Sequence, residues 1–172
     1  PDQLAAADPD PAPGVRLSQE GRVREHADLG YSVYWPGGCG RVSEQTSSEA
    51  TGYADREAIV TCRTPDVAYS IRSFYRAHDQ QGNPAHPQFV TSLIEQQLDR
   101  KRLQTVRQRP LEAGHVQGVD VHAVGRADET RVWFRGLLVG TDVHLLMVLG
   151  ETDDVFTSAE AQDFIYSFNL DS

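Results

Sequence analysis

From Leu29 onward the hydrophobic residues fall on alternate positions, with Leu29, Tyr31, Val33 and Trp35 on one side of the chain and Gly30, Ser32 and Tyr34 on the other. A period of two is the signature of a strand. Pro36-Gly37-Gly38 ends it, because proline donates no ladder hydrogen bond and glycine admits turn dihedrals. A polar stretch rich in Ser, Glu and Thr follows. Residues 58–63 (AIVTCR) and 67–75 then predict two more strands around a Thr64-Pro65-Asp66 turn. Residues 77–87 (AHDQQGNPAHP) carry every punctuation signal of a loop. Beyond them the period lengthens: Phe89, Val90, Leu93, Ile94 and Leu98 recur at three- and four-residue spacing, predicting one amphipathic helix over residues 87–103. Arg100, Lys101 and Arg102 sit at its end, where positive charge complements the helix dipole, so the cluster needs no ligand to account for it.

After a short edge strand over 105–112, interrupted by Pro110, three strand-like runs at 116–124, 130–139 and 142–149 form a meander whose turns fix its register. With Arg126 to Glu129 as a loop, Gly125 faces Thr130; Ala123 then meets Val132, Val121 meets Phe134 and Val119 meets Gly136. With Gly140-Thr141 as a two-residue turn, Leu138 meets Val143, Gly136 meets Leu145, Phe134 meets Met147 and Val132 meets Leu149. One face is then wholly apolar or glycine, and a one-residue slip would destroy that agreement. The other face sets Asp120 against Arg135, His122 against Trp133 and His144 against Leu137, a mixed surface that a helix would partly cover. A final helix is expected from Thr157, with Glu160 completing a T-x-x-E capping box and Phe156 and Ala161 at the staple positions, before an extended Asn169-Leu170.

Composition narrows the class. The chain has 172 residues, 39% hydrophobic and 24% charged, with a formal charge of −9 and no apolar run long enough to span a bilayer. A net acidic chain repels phosphate, so no nucleic-acid partner is expected without a concentrated basic patch. Fifteen of its 16 basic residues are arginine, which a GC-rich genome would produce unaided. Residues 1–13 hold four prolines and three aspartates, a composition that cannot offset its ordering entropy. We expect residues 1–28 to be a flexible leader or tether and 29–172 a single domain. Signal peptides and lipoprotein leaders are cut away before a mature start, so a chain opening at Pro1 is compatible with export and with an upstream lipid anchor.

Chemistry-bearing residues are few. Cys39 and Cys62, with such a leader, fit one disulfide in an exported protein; two separate buried thiols are the competing reading, and no CxxC spacing or flanking base supports a reactive one. Asp120, His122, Trp133, Arg135 and His144 form the candidate surface site. With His115 they are the only place where histidine and carboxylate approach, but a cross-strand ion pair and surface histidines explain them without metal. No G-x-S-x-G nucleophile turn occurs, and Ser43, Ser47 and Ser48 read as a polar surface loop. The P-G-G-C-G turn lacks the ending of a phosphate loop and suits a disulfide anchor. His78 and His86, in the 77–87 loop, mark a second contact surface. No catalytic group, cofactor or metal is expected.

The element order, together with Tyr31-Ser32-Val33-Tyr34-Trp35-Pro36, Arg135-Gly136-Leu137-Leu138-Val139-Gly140, residues 143–149 and the closing stretch from Phe164 to Leu170, resembles the PsbP-like fold. That fold is shared by extrinsic photosystem subunits, a Ran-binding nuclear import factor and many bacterial exported proteins and lipoproteins of unknown function. The resemblance covers residues 29–170 and implies a mostly non-catalytic binding or assembly module; no Ran-binding or manganese-related residues carry over. The expected architecture is α+β: an antiparallel sheet of about six or seven strands, the long helix on one face and the short C-terminal helix near the other, as an α/β/α sandwich. The expected function is a non-enzymatic module, exported to the periplasm, envelope or medium, that binds a protein or cell-envelope partner. The alternative is a small-molecule or lipid carrier, its cavity lined by Tyr31, Trp35, Phe89 and Trp133.

Overall fold

A computed structural model of the chain describes residues 21–47 and 52–171. Seven strands form one antiparallel sheet: β3 (Val42–Ser47), β4 (Arg56–Arg63), β5 (Val67–Tyr75), β6 (Leu103–Ala113), β7 (Val116–Gly125), β8 (Arg131–Val139) and β9 (Asp142–Gly150). Their spatial order is β3-β4-β5-β9-β8-β7-β6, so β3 and β6 are the two edges. A smaller sheet joins β1 (Arg22–His26), β2 (Tyr31–Trp35) and β10 (Asn169–Leu170), with β2 in the middle. The helices are α1 (Pro87–Arg100), the single turn α2 (Asp154–Thr157) and α3 (Ala159–Ser167).

The meander has the expected register throughout, including Ala123 opposite Val132, Phe134 opposite Met147 and Gly136 opposite both Val119 and Leu145. Gly125 donates its N–H to the Thr130 carbonyl at 2.8 Å, closing the loop as the pattern required, and Gly140 takes a φ of 62° in the two-residue turn. The apolar face carries α1: Phe89, Val90 and Ile94 pack on Val121, Val132, Phe134 and Val143. Gly136 has no side chain because α1 leaves no room for one; a Cβ there would collide with Val90 and press on Ile94.

The other face is covered by two things at once. α3 contributes Ala161, Phe164 and Ile165, while β2 contributes Tyr31, Val33 and Trp35, over a floor of Val60, Ile71, Leu146, Val148 and Trp133. The layers are therefore helix, seven-stranded sheet, and a mixed cover of helix and small sheet, which refines the helix-only third layer of the expected sandwich. It also corrects the cavity: Phe89 lies under α1, whereas Tyr31, Trp35 and Trp133 pack on the opposite face at 0%, 3% and 2% exposure. No single cavity is lined by all four.

Other corrections share a cause. The domain begins before residue 29, since β1 pairs along its whole length with β2. In RVREH only His26 is buried, and an edge strand whose other four residues are all exposed leaves no apolar alternation to read. β3 is the same case, so Ser43 and Ser47 lie on a strand and not in a loop; Ser48 and residues 1–20 fall outside the described residues. The C-terminal helix is capped one residue later than expected. Thr157 is already helical in α2 and donates its hydroxyl to the Asp153 carbonyl, while Ser158, extended at φ −69° and ψ 152°, accepts from the Ala161 N–H at 3.1 Å.

Candidate functional site

Asp120, at 5% exposure, is the hub of the mixed face. Arg135, directly across on β8, donates to it twice, Nε to Oδ1 and Nη2 to Oδ2, each at 2.7 Å. This bidentate fork is the strongest geometry an arginine offers a carboxylate. The Trp133 indole donates to Oδ1 at 3.3 Å, and Arg109, across on the edge strand β6, stands 3.7 Å from Oδ2. The Tyr166 ring of α3 lies over the Arg135 guanidinium, 5.0 Å from centroid to carbon. Both carboxylate oxygens are thus occupied, and the charge is compensated within the fold.

His122 faces Arg107 on one side and Trp133 on the other. Its ring stacks on Phe156 at 4.4 Å and meets the Trp133 ring edge-on. Partial burial holds its pKa below the usual histidine value, the Asp120 charge opposing and the Arg107 and Arg109 charges reinforcing that shift.

His144 is not a surface residue. It is 2% exposed, sealed under Tyr31, Tyr75 and Phe168, and its Nδ1 pairs with the Ser73 hydroxyl at 2.8 Å. Burial pulls its pKa down to about 4, against the Asp142 charge, so the ring is neutral at ordinary pH. Asp120 and Trp133 are buried as well, so only the Arg135 and His122 rim of the expected surface site meets solvent. His115 lies exposed beside the β6–β7 turn, and the three histidines do not converge. Among the described residues no group of three or more His, Cys, Asp or Glu side chains could hold a metal ion.

Cys39 and Cys62 are joined as a disulfide, tying the turn after β2 to β4 across 23 residues of sequence. Such a bond persists in an oxidising compartment. A second tie holds the same corner. Trp35 donates its indole N–H to His26 Nε2 at 3.0 Å, so the remaining ring hydrogen is on Nδ1 and faces Glu44 Oε2 at 3.1 Å.

Next to the Asp120 hub lies a feature the sequence reading treated only in part. Residues 100–109, RKRLQTVRQR, contain five cations and no carboxylate in a chain of net charge −9. Arg100, Lys101, Arg102, Arg107 and Arg109 are all exposed, along the end of α1 and the edge strand β6. Arg109 alone of them has an ion-pair partner, Asp120; the other four have none among the described residues. Arg126, from the β7–β8 loop, bonds the Leu103 carbonyl and adds a sixth charge beside them. The helix dipole accounts for Arg100 to Arg102 but not for Arg107 and Arg109. Those two are found by register, opposite His122 and Asp120.

The outer edge of β6 has no strand neighbour among the described residues. A bulge between Thr105 and Arg107 and the missing N–H of Pro110 interrupt it, devices that discourage indiscriminate strand addition. What it presents, with the Arg100–Arg102 run beside it, is cationic side chains more than a free backbone ladder.

No family model matches the sequence, and no curated protein does. The structure is similar to the solution structure of cyanobacterial PsbP (CyanoP) from Synechocystis sp. PCC 6803, with a TM-score of 0.57 and 11% identity over 88% of this chain and 92% of that one. The fold is PsbP-like. At that identity the likeness concerns architecture alone. No helix among the described residues is long and apolar enough to cross a membrane.

Proposed function

We propose that this PsbP-like chain is a non-enzymatic interaction module, exported or envelope-associated, that docks an acidic, extended segment of a protein partner along the β6 edge. The observation that carries the reading is the run of five exposed cations in residues 100–109, four of them without an ion-pair partner among the described residues, in a protein whose net charge is −9. Unpaired arginines at the end of α1 and on β6 are suited to bidentate carboxylate recognition, and a basic ridge on an acidic body orients an approaching anion. A polypeptide fits better than a nucleic acid. The residues interleaved with the cations are Leu103, Gln104, Thr105, Val106 and Gln108, none of them an aromatic platform on which bases could stack. The Asp120 hub supports the ridge by fixing β7 and β8 behind it, and the disulfide supports the compartment.

Exposed charge pairs contribute about 0.2–1 kcal/mol each, so the contact is expected to be fast, modest in affinity and steeply salt-dependent. The test is fluorescence anisotropy with a labelled, glutamate- and aspartate-rich peptide. Binding should weaken about tenfold in Lys101→Gln/Arg107→Glu, exposed positions that form no ion pair among the described residues, and should fade as salt rises. A labelled oligothymidine of equal charge that binds more tightly than the peptide would overturn the protein-partner reading. Unchanged peptide affinity in the double variant would remove the ridge from it.

A further inference from the structure

A second site lies on the α1 side, away from the basic edge. Between the 77–87 loop and the first three turns of α1 is a cleft of about 300 Å³, at the lower end of the range for small-molecule sites. Its chemistry is unlike the rest of the surface. Four of the chain's twelve glutamines line it, Gln80 and Gln81 from the loop and Gln88 and Gln96 from the helix. Gln88, Ser92 and Gln96 are spaced by four residues, so the helix offers the cleft an uncharged polar stripe in a protein that is 24% charged. Its base is aromatic: Phe89, 8% exposed, with the Tyr53 ring edge-on at 6.3 Å.

The loop wall is built, not loose. Asp79 accepts from the Gln81 and Asn83 backbone N–H groups, both at 2.9 Å, and from the Asn83 side-chain amide at 3.1 Å. These bonds hold its pKa below the usual carboxylate value. The loop ends are joined by Ala85 donating to the Ala77 carbonyl at 2.9 Å. Among the described residues the one carboxylate lining the cleft thus shapes it, and His86 is the other titratable side chain there besides Tyr53.

We infer that this cleft binds a neutral, polyhydroxylated ligand, a short uncharged oligosaccharide. Each carboxamide both donates and accepts, as adjacent sugar hydroxyls do, and the half-buried Tyr53, whose hydroxyl already accepts from Gln80, offers an apolar ring surface to the C–H face of a pyranose. Apart from the Asp79 carboxylate, which already accepts three hydrogen bonds, and His86, the described lining is uncharged, which favours a neutral ligand over an ionic one. The inference is independent of the docking ridge.

The test is a side-chain amide NMR titration of the full chain with maltotriose, mannotriose and N,N′,N″-triacetylchitotriose, with trigalacturonic acid as the anionic control. At least one neutral trisaccharide should shift the Gln88 and Gln96 NH2 signals. Its affinity should fall at least fivefold in Gln88→Ala/Gln96→Ala, both exposed positions whose truncation leaves the core intact, and stay unchanged in Lys101→Gln/Arg107→Glu. The inference is overturned if no neutral trisaccharide shifts those signals, if the glutamine double variant binds as well as the parent, or if the acidic control binds more tightly.

Discussion

Replacing Asp120 with alanine should destabilise the fold by about 3 kcal/mol without weakening the docking of an acidic peptide. Asp120 accepts both hydrogen bonds of the Arg135 fork at 2.7 Å, and the two side chains are only 6% and 13% exposed. Removing one partner of a buried pair leaves the other charge uncompensated, which costs about 3–5 kcal/mol. The lower end applies here, because Arg135 keeps the Tyr166 ring beneath it and some access to water. Replacing both partners, as Asp120→Leu/Arg135→Met, should recover most of the loss, since well-packed apolar residues are often as stable as a buried pair; the remaining cost of about 1 kcal/mol is the Trp133 N–H left without its acceptor. Urea denaturation of the parent, Asp120→Leu, Arg135→Met and the double variant provides the cycle, with Asp120→Ala read beside it, all at constant m. A loss below 1 kcal/mol in Asp120→Ala, or a double variant as unstable as the sum of the singles, would refute the reasoning. A variant that stays folded but no longer binds peptide would make the hub a functional site in its own right.

Three further outcomes follow from the packing. His144, its pKa lowered to about 4 in the fold against 6.5 unfolded, binds fewer protons when native, so stability should be complete above pH 6.5 and fall as pH drops towards 4, by on the order of 3 kcal/mol; His144→Phe should flatten that part of a pH–denaturation series. Gly136→Ala should cost about 1–3 kcal/mol, measured by thermal melting, because the added methyl meets Val90 and Ile94. Arg102 leaves α1 at a φ of 56°, a conformation glycine adopts more readily, so Arg102→Gly should stabilise the protein by about 1 kcal/mol while weakening peptide binding.

What could be read from the sequence was set by how much of each residue's environment is local. The meander was legible to the residue because two turns and one apolar face had to agree, and Gly136 was part of that agreement before α1 gave it a reason. β1 and β3 were not, since a strand exposed on both faces shows no period. Thr157 and Ser158 are equally good caps by type, and only the intervening turn of α2 decides between them. His144 was placed on the correct face, opposite Leu137, yet its burial depends on β2 and Phe168, more than twenty residues away in either direction along the chain. The ridge was visible as a charge run, but joining Arg107 and Arg109 to Arg100–Arg102 needed the bulged pairing of β6 with β7.

The central claim is that recognition occurs on the β6 edge, and backbone amide shift mapping during titration with the acidic peptide tests it most directly. Salt-sensitive shifts should concentrate at residues 100–109 and at Arg126, with β1, β3 and the glutamine-lined cleft unmoved. Shifts centred on the small sheet or the cleft, or none at low salt, would contradict it.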